Sequence, residues 1–151
     1  MSITIDVQKA CESKELPEQD QIQQWVNAVL LPEHDNIELT IRFVERNESQ
    51  ELNHQYRGKN KETNVLSFPF EVPEGIELNL LGDLVICADV VKQESLEQHK
   101  TIQEHWAHMI IHGCLHLLGY DHIQDDEAEI MESLEIDILA KLGFNNPYKQ
   151  L

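Results

Sequence analysis

The chain has 151 residues, with 28 Asp and Glu against 11 Lys and Arg, a formal net charge of -17 with histidine neutral. That length suits one domain of the common ~100–150-residue size, and a hydrophobic fraction of 41% is enough for a core, which argues against a disordered chain. No apolar run reaches the ~20 residues of a membrane-spanning helix, no signal-peptide pattern opens the chain, and Cys11, Cys87 and Cys114 include no CxxC pair. The expectation is a cytoplasmic protein with reduced thiols and no membrane contact.

Residues 3–7 (ITIDV) alternate apolar and polar side chains and read as a strand. Residues 17–31 read as a helix: Pro17 suits its first turn, Glu18 and Asp20 follow, and Ile22, Val26, Val29 and Leu30 form one stripe. Residues 37–44 (IELTIRFV) alternate again, and residues 47–56 form a short helix opened by Asn47 or Ser49. A third strand, 64–70 (NVLSFPF), is confined by Pro69 to a sheet edge or a strand end. A fourth follows at 80–87 (LLGDLVIC), with a helix beginning near Ala88 or Asp89. Thr101 and Glu104 make a capping box for a helix that runs through Leu118, where Gly119 supplies the permissive residue of a helix end. Asp126 caps the last helix, with Glu127 and Glu129 at its positive end, and Gly143 and Pro147 mark its stop. The expected architecture is α+β, a single domain over residues 1–151, with about four strands covered by about five helices and a metal site at the end of a central helix.

Five of the eight histidines lie between positions 105 and 122. At ~100° per residue, His112 and His116 stand one turn apart on one helix face and can grip one ion together. A third ligand on the same helix would complete a tetrahedron poorly. Gly119 removes that difficulty by ending the helix and reversing the chain, so that His122 can approach from the side. Three neutral nitrogen ligands leave a fourth position for water, the pattern of a catalytic zinc site. The plainer reading is a set of solvated or core histidines. His108 and His112 form a rival pair, and His105 and His108 otherwise read as groove-lining or surface residues. Cys114 lies ~200° from His112 and reads as packing, as does the stripe Trp106, Met109, Ile110 and Leu117.

The spacing H-x3-H-x2-G-x2-H is that of the metzincin peptidases. Where those enzymes carry the glutamate that deprotonates zinc-bound water, this chain has Gly113. A peptidase mechanism would lack its proton acceptor.

The stretch HGCLHLLGYDH at 112–122 resembles the signature of the YbeY family of bacterial endoribonucleases without a departure. The block from Tyr56-Arg57-Gly58-Lys59 through Thr63-Asn64-Val65-Leu66-Ser67-Phe68-Pro69 resembles a second family motif, and LLGDLVIC at 80–87 a third. The likeness runs from about residue 37 to Pro147. It implies a zinc-dependent, single-strand-specific RNase of the cytoplasm that matures rRNA, notably the 3′ end of 16S rRNA, and serves ribosome quality control. It implies His112, His116 and His122 as ligands of one Zn2+ per chain, and Arg57 as the functional arginine. Other divalent transition metals would also bind such imidazoles in vitro.

The residues are consistent with that chemistry. RNA cleavage gathers negative charge around phosphorus, which a dication and a guanidinium stabilise. A whole-molecule charge of -17 repels polyanions, so contact with RNA has to be local, and residues 57–61 (RGKNK) hold three of the eleven basic residues. Arg57 offers a planar fork for phosphate, with Lys59 and Lys61 as point charges on the flanking backbone. The plain alternative for this loop is a solvated turn. The expected site is therefore Arg57 and His112 as catalytic residues, Arg57, Lys59 and Lys61 on RNA, and His112, His116 and His122 on the metal. Asp121 reads either as a carboxylate that orients a ligand imidazole or as a turn cap. Asp83 reads either as a sheet-end polar residue or as one that reaches the site. Two rival functions stand beside the nuclease: a metal hydrolase of another substrate, and a non-enzymatic ribosome-assembly factor with a structural metal. The acid excess suits the second, since basic ribosomal proteins would supply its contacts.

Overall fold

In the computed structural model, which describes residues 3–31, 33–34, 36–70, 79–121 and 124–148, the alternating segments become four strands. They are β1 (Thr4–Ala10), β2 (Glu38–Val44), β3 (Val65–Pro69) and β4 (Leu80–Cys87). They join in one sheet of order β1-β2-β4-β3. β1 runs parallel to β2 and β2 parallel to β4, while β3 closes the far edge antiparallel to β4. Pro69, which cannot donate to a ladder, thus ends an edge strand, as expected. β1 reaches Ala10 because it pairs along the whole of β2, from Thr4 opposite Glu38 to Ala10 opposite Val44.

Five helices cover the sheet: α1 (Gln19–Leu30), α2 (Arg46–Arg57), α3 (Ala88–Glu97), α4 (Ile102–Leu117) and α5 (Asp125–Lys141). Strand alternation sends Leu39, Ile41, Phe43, Leu84 and Ile86 to one face, against α1 and α4. Val44, Leu66, Val85 and Cys87 go to the other, where Leu52 of α2 packs. α4 is the central helix, touching α1, α3, α5, β3 and β4. Trp106 meets Phe43 edge to face at 5.2 Å between ring centroids. Ile110 and Ile111 are wholly buried, each contributing about 1.5–3 kcal/mol of apolar burial. Among the described residues no helix is long and apolar enough to cross a membrane.

Gly113 lets α4 approach the sheet closely. A Cβ there would lie 2.8 Å from Leu84 Cδ2 and 3.3 Å from Val65 Cγ2. The position where metzincins keep a glutamate faces apolar core here, so this glycine is a packing device.

Several helix starts differ from expectation. α1 begins at Gln19, so Pro17 precedes the first turn; the Glu18 N–H donates to the Gln21 side chain at 3.0 Å instead. α2 begins at Arg46, earlier than Asn47 or Ser49. Ser49 is buried, accepting from the Thr63 N–H at 3.0 Å and donating to the Thr63 carbonyl at 2.9 Å, which ties down the loop after α2. Asp126 does not cap α5: the N-cap is Gln124, and Asp125, Asp126 and Glu127 fill the first turn, where the helix dipole favours acids. Of the capping box expected at α4, the structure shows the Thr101 half, its hydroxyl accepting from the Glu104 N–H at 3.1 Å.

Candidate metal centre

Two histidines meet at the C-terminal turn of α4. His112 and His116, one turn apart, bring their Nε2 atoms to 3.1 Å of each other. The other nitrogen of each ring decides what those atoms are. His112 Nδ1 lies 2.5 Å from Glu135 Oε1. Burial would raise the Glu135 carboxyl, but hydrogen bonds from His108 and His112 outweigh it and hold the group at about 2. An ionised carboxylate only accepts, so His112 Nδ1 carries the proton. His116 Nδ1 lies 3.0 Å from the Tyr120 carbonyl, which also only accepts. With each Nδ1 on an oxygen acceptor, both rings turn an Nε2 toward the same place, where one shared cation could take both nitrogens. With Zn–N bonds of ~2.0–2.1 Å, a tetrahedral pair of nitrogens stands about 3.3 Å apart, so this donor set fits such an ion.

Local sequence explains the turn. Gly119 adopts φ 101, a conformation that side chains with a Cβ rarely take. Its N–H bonds the His116 carbonyl at 3.0 Å, and the Tyr120 N–H bonds the Leu115 carbonyl at 3.1 Å. This double bond pattern reverses the chain and swings the Tyr120 carbonyl back to His116. The turn that ends the helix also orients the ligand.

Glu135 enters from α5 and is fully buried between two histidines. His108 Nε2 lies 2.8 Å from Glu135 Oε2, and the Tyr148 hydroxyl donates to the same oxygen. Burial, more than Glu135 opposes it, pushes the His108 pKa down, so the ring is neutral and donates from Nε2. Its Nδ1 and that of His105 are buried and, among the described residues, have no hydrogen-bond partner. His108, His112 and Glu135 offer ligand atoms within 4.8 Å of one another, a group that could hold a metal. The rival histidine pair of the sequence thus exists, joined by a carboxylate.

His105 sits 2.9 Å from Glu94 Oε1. It lines, with His108 and His112, a cleft of about 1120 Å³ whose rim includes Lys100, Phe144 and Tyr148. His105 and His108 therefore line a groove as expected, but they are buried on carboxylates and not surface residues.

His122 lies outside the described residues. Asp121 is half-buried just past the turn. Arg57 is exposed at the end of α2, the helix whose Leu52 packs on the sheet face opposite α4. Lys59 and Lys61 are exposed in the next loop, which Asn53 holds through the Lys61 carbonyl at 2.9 Å. Asp83 falls between Gly82 and Leu84, so alternation puts it on the α2 face. Cys114 is fully buried, its thiol pushed up to about 12 by that burial, which fits its packing role. Sequence reasoning missed Glu135 and Tyr148. A signal existed for Glu135: it interrupts the buried stripe Met131, Glu135, Leu139 at steps of four.

These features define a class, an α+β domain whose central helix presents imidazoles at its C-terminal turn beside a buried carboxylate from α5. The model of the family described as Endoribonuclease YbeY matches residues 5–143. An Endoribonuclease YbeY of Colwellia psychrerythraea is 61% identical over 153 residues, covering 98% of both chains. The chain belongs to the YbeY family, a family of nucleases within the hydrolases. The solution structure of a Thermotoga maritima protein shares the fold, with a TM-score of 0.58 at 23% identity over 91% of each chain.

Proposed function

We propose that this protein is a zinc-dependent, single-strand-specific endoribonuclease of the cytoplasm, acting in rRNA processing at the 3′ end of 16S rRNA and in ribosome quality control. The single domain over residues 1–151 is the catalytic unit, and the ribosome or its proteins are its partners. The convergence of the His112 and His116 Nε2 atoms at 3.1 Å, in a member of this family, carries the reading. His112, His116 and His122 hold one zinc ion. When bound, such an ion would supply Lewis acidity and lower the pKa of a water beside it to about 7.

The chain's own groups do the rest. Arg57 offers its planar guanidinium to the phosphate on which negative charge grows, and Lys59 and Lys61 hold the flanking backbone. Asp121 orients a ligand imidazole or caps the turn. With Gly113 facing Leu84 and Val65, the peptidase base is absent, which supports phosphoryl over peptide chemistry.

The net charge of -17 favours a second reading, an assembly factor with a structural metal that docks on basic proteins. One experiment separates the two: cleavage of labelled single-stranded and structured RNA by wild type beside His116→Ala, each with elemental analysis of bound metal. The nuclease predicts cutting that follows the metal and is lost with His116. A folded, metal-loaded wild type that cuts neither RNA would support the assembly factor.

A further inference from the structure

We infer that Glu135 is the positioning residue of the metal centre, holding His112 in the tautomer and orientation that aim its Nε2 at His116. The inference rests on the proposed reading that His112 and His116 share an ion.

Glu135 arrives from α5, at a place where the helix stripe otherwise buries Met131 and Leu139. A carboxylate there is costly unless its oxygens are paired. They are: Oε1 accepts from His112 Nδ1 at 2.5 Å, and Oε2 accepts from His108 Nε2 at 2.8 Å and from the Tyr148 hydroxyl. The two donors on Oε2 stop the carboxylate from rotating away from His112. The oxygen that meets His112 does so at Nδ1, across the ring from the nitrogen that faces His116. A carboxylate so placed fixes the tautomer, locks the ring and raises the basicity of the nitrogen across it. Direct ligation by Glu135 would require His112 Nδ1 to give up its proton and His108 and Tyr148 to release Oε2.

The test is titration of the metal-free full-length protein with cobalt(II), reading its visible absorption and stoichiometry. Glu135→Gln preserves size, and His108 can switch tautomer to accept from the new amide, because its Nδ1 has no partner to lose among the described residues. Glu135→Met removes the polar group altogether and remains usable if the first variant folds poorly, since apolar replacements of buried charges are often tolerated. The expected result is one cobalt per chain with an unchanged band at saturation and a Kd raised ~10–100-fold in Glu135→Gln, and at least as much in Glu135→Met. A wild-type Kd in either variant would overturn the inference, leaving Glu135 as a core residue. A shifted or missing band would overturn it by making Glu135 a ligand. His116→Ala tests the underlying reading separately: wild-type cobalt affinity in that variant would move the ion to His108, His112 and Glu135.

Discussion

His116 Nδ1 rests 3.0 Å from the carbonyl of Tyr120, four residues on, so the chain reversal after α4 fixes which nitrogen His116 turns toward His112. With Glu135 fixing the other ring, two Nε2 atoms stand 3.1 Å apart on adjacent turns. Removing either ring should remove the ion. His116→Ala is expected to bind less than 0.1 zinc per chain by elemental analysis after gel filtration, a threshold on the order of a tenfold loss. Wild type should gain about 2.7 kcal/mol of stability at a free zinc concentration 100 times its Kd. The variant should gain none in the same thermal melts, and an equal gain in both would place the ion elsewhere.

Arg57 tests the chemistry apart from the metal. It is exposed at the end of α2, an element separate from α4 and α5, so its loss should leave zinc content and melting temperature unchanged. If it pairs with the phosphate in the transition state, Arg57→Ala should lower RNA cleavage by ~100-fold or more. Equal rates for the two proteins would remove Arg57 from the mechanism.

How much of this was legible in the sequence follows from the range of the forces involved. Strand alternation, the spacing of His112 and His116, the Gly119 stop and the Thr101 cap are local, written within a few residues, and each has its expected geometry. Glu135 was hidden among the seven acids of residues 125–137, because local composition does not say which acid of a run turns inward. That depends on how α5 crosses α4, a contact between segments 23 residues apart. Tyr148 was hidden for the same reason. Ser49 misled in the opposite sense: a residue type that suits helix caps spends its hydroxyl on Thr63.

Gly113 sets two effects against each other. Replacing a helix-interior glycine by alanine is worth about 1 kcal/mol in propensity. The new Cβ would meet Leu84 Cδ2 at 2.8 Å in a filled core, and overpacking of that kind costs about 1–3 kcal/mol. Crowding should win, so Gly113→Ala is expected to lose up to about 2 kcal/mol in urea unfolding at unchanged m. Greater stability in the variant would mean that Leu84 repacks freely.

Glu94 gives a pH signature of its own, through its contact with His105. Burial raises its carboxyl, but hydrogen bonds from His105 and Asn64 outweigh that and leave it below the usual carboxylate value. A carboxylate depressed in the fold contributes its stability above its unfolded pKa of about 4.3, and that contribution fades as pH falls toward the folded value. Glu94→Gln should therefore be less stable than wild type by on the order of 1–2 kcal/mol at pH 7, the worth of one charge-assisted hydrogen bond. The gap should narrow steadily below about pH 4.3 as wild type takes up the proton that the variant never binds. Urea midpoints for both proteins from pH 7 to pH 3 measure it. A gap that stays constant across that range would show that the Glu94–His105 contact contributes no stability through its charge.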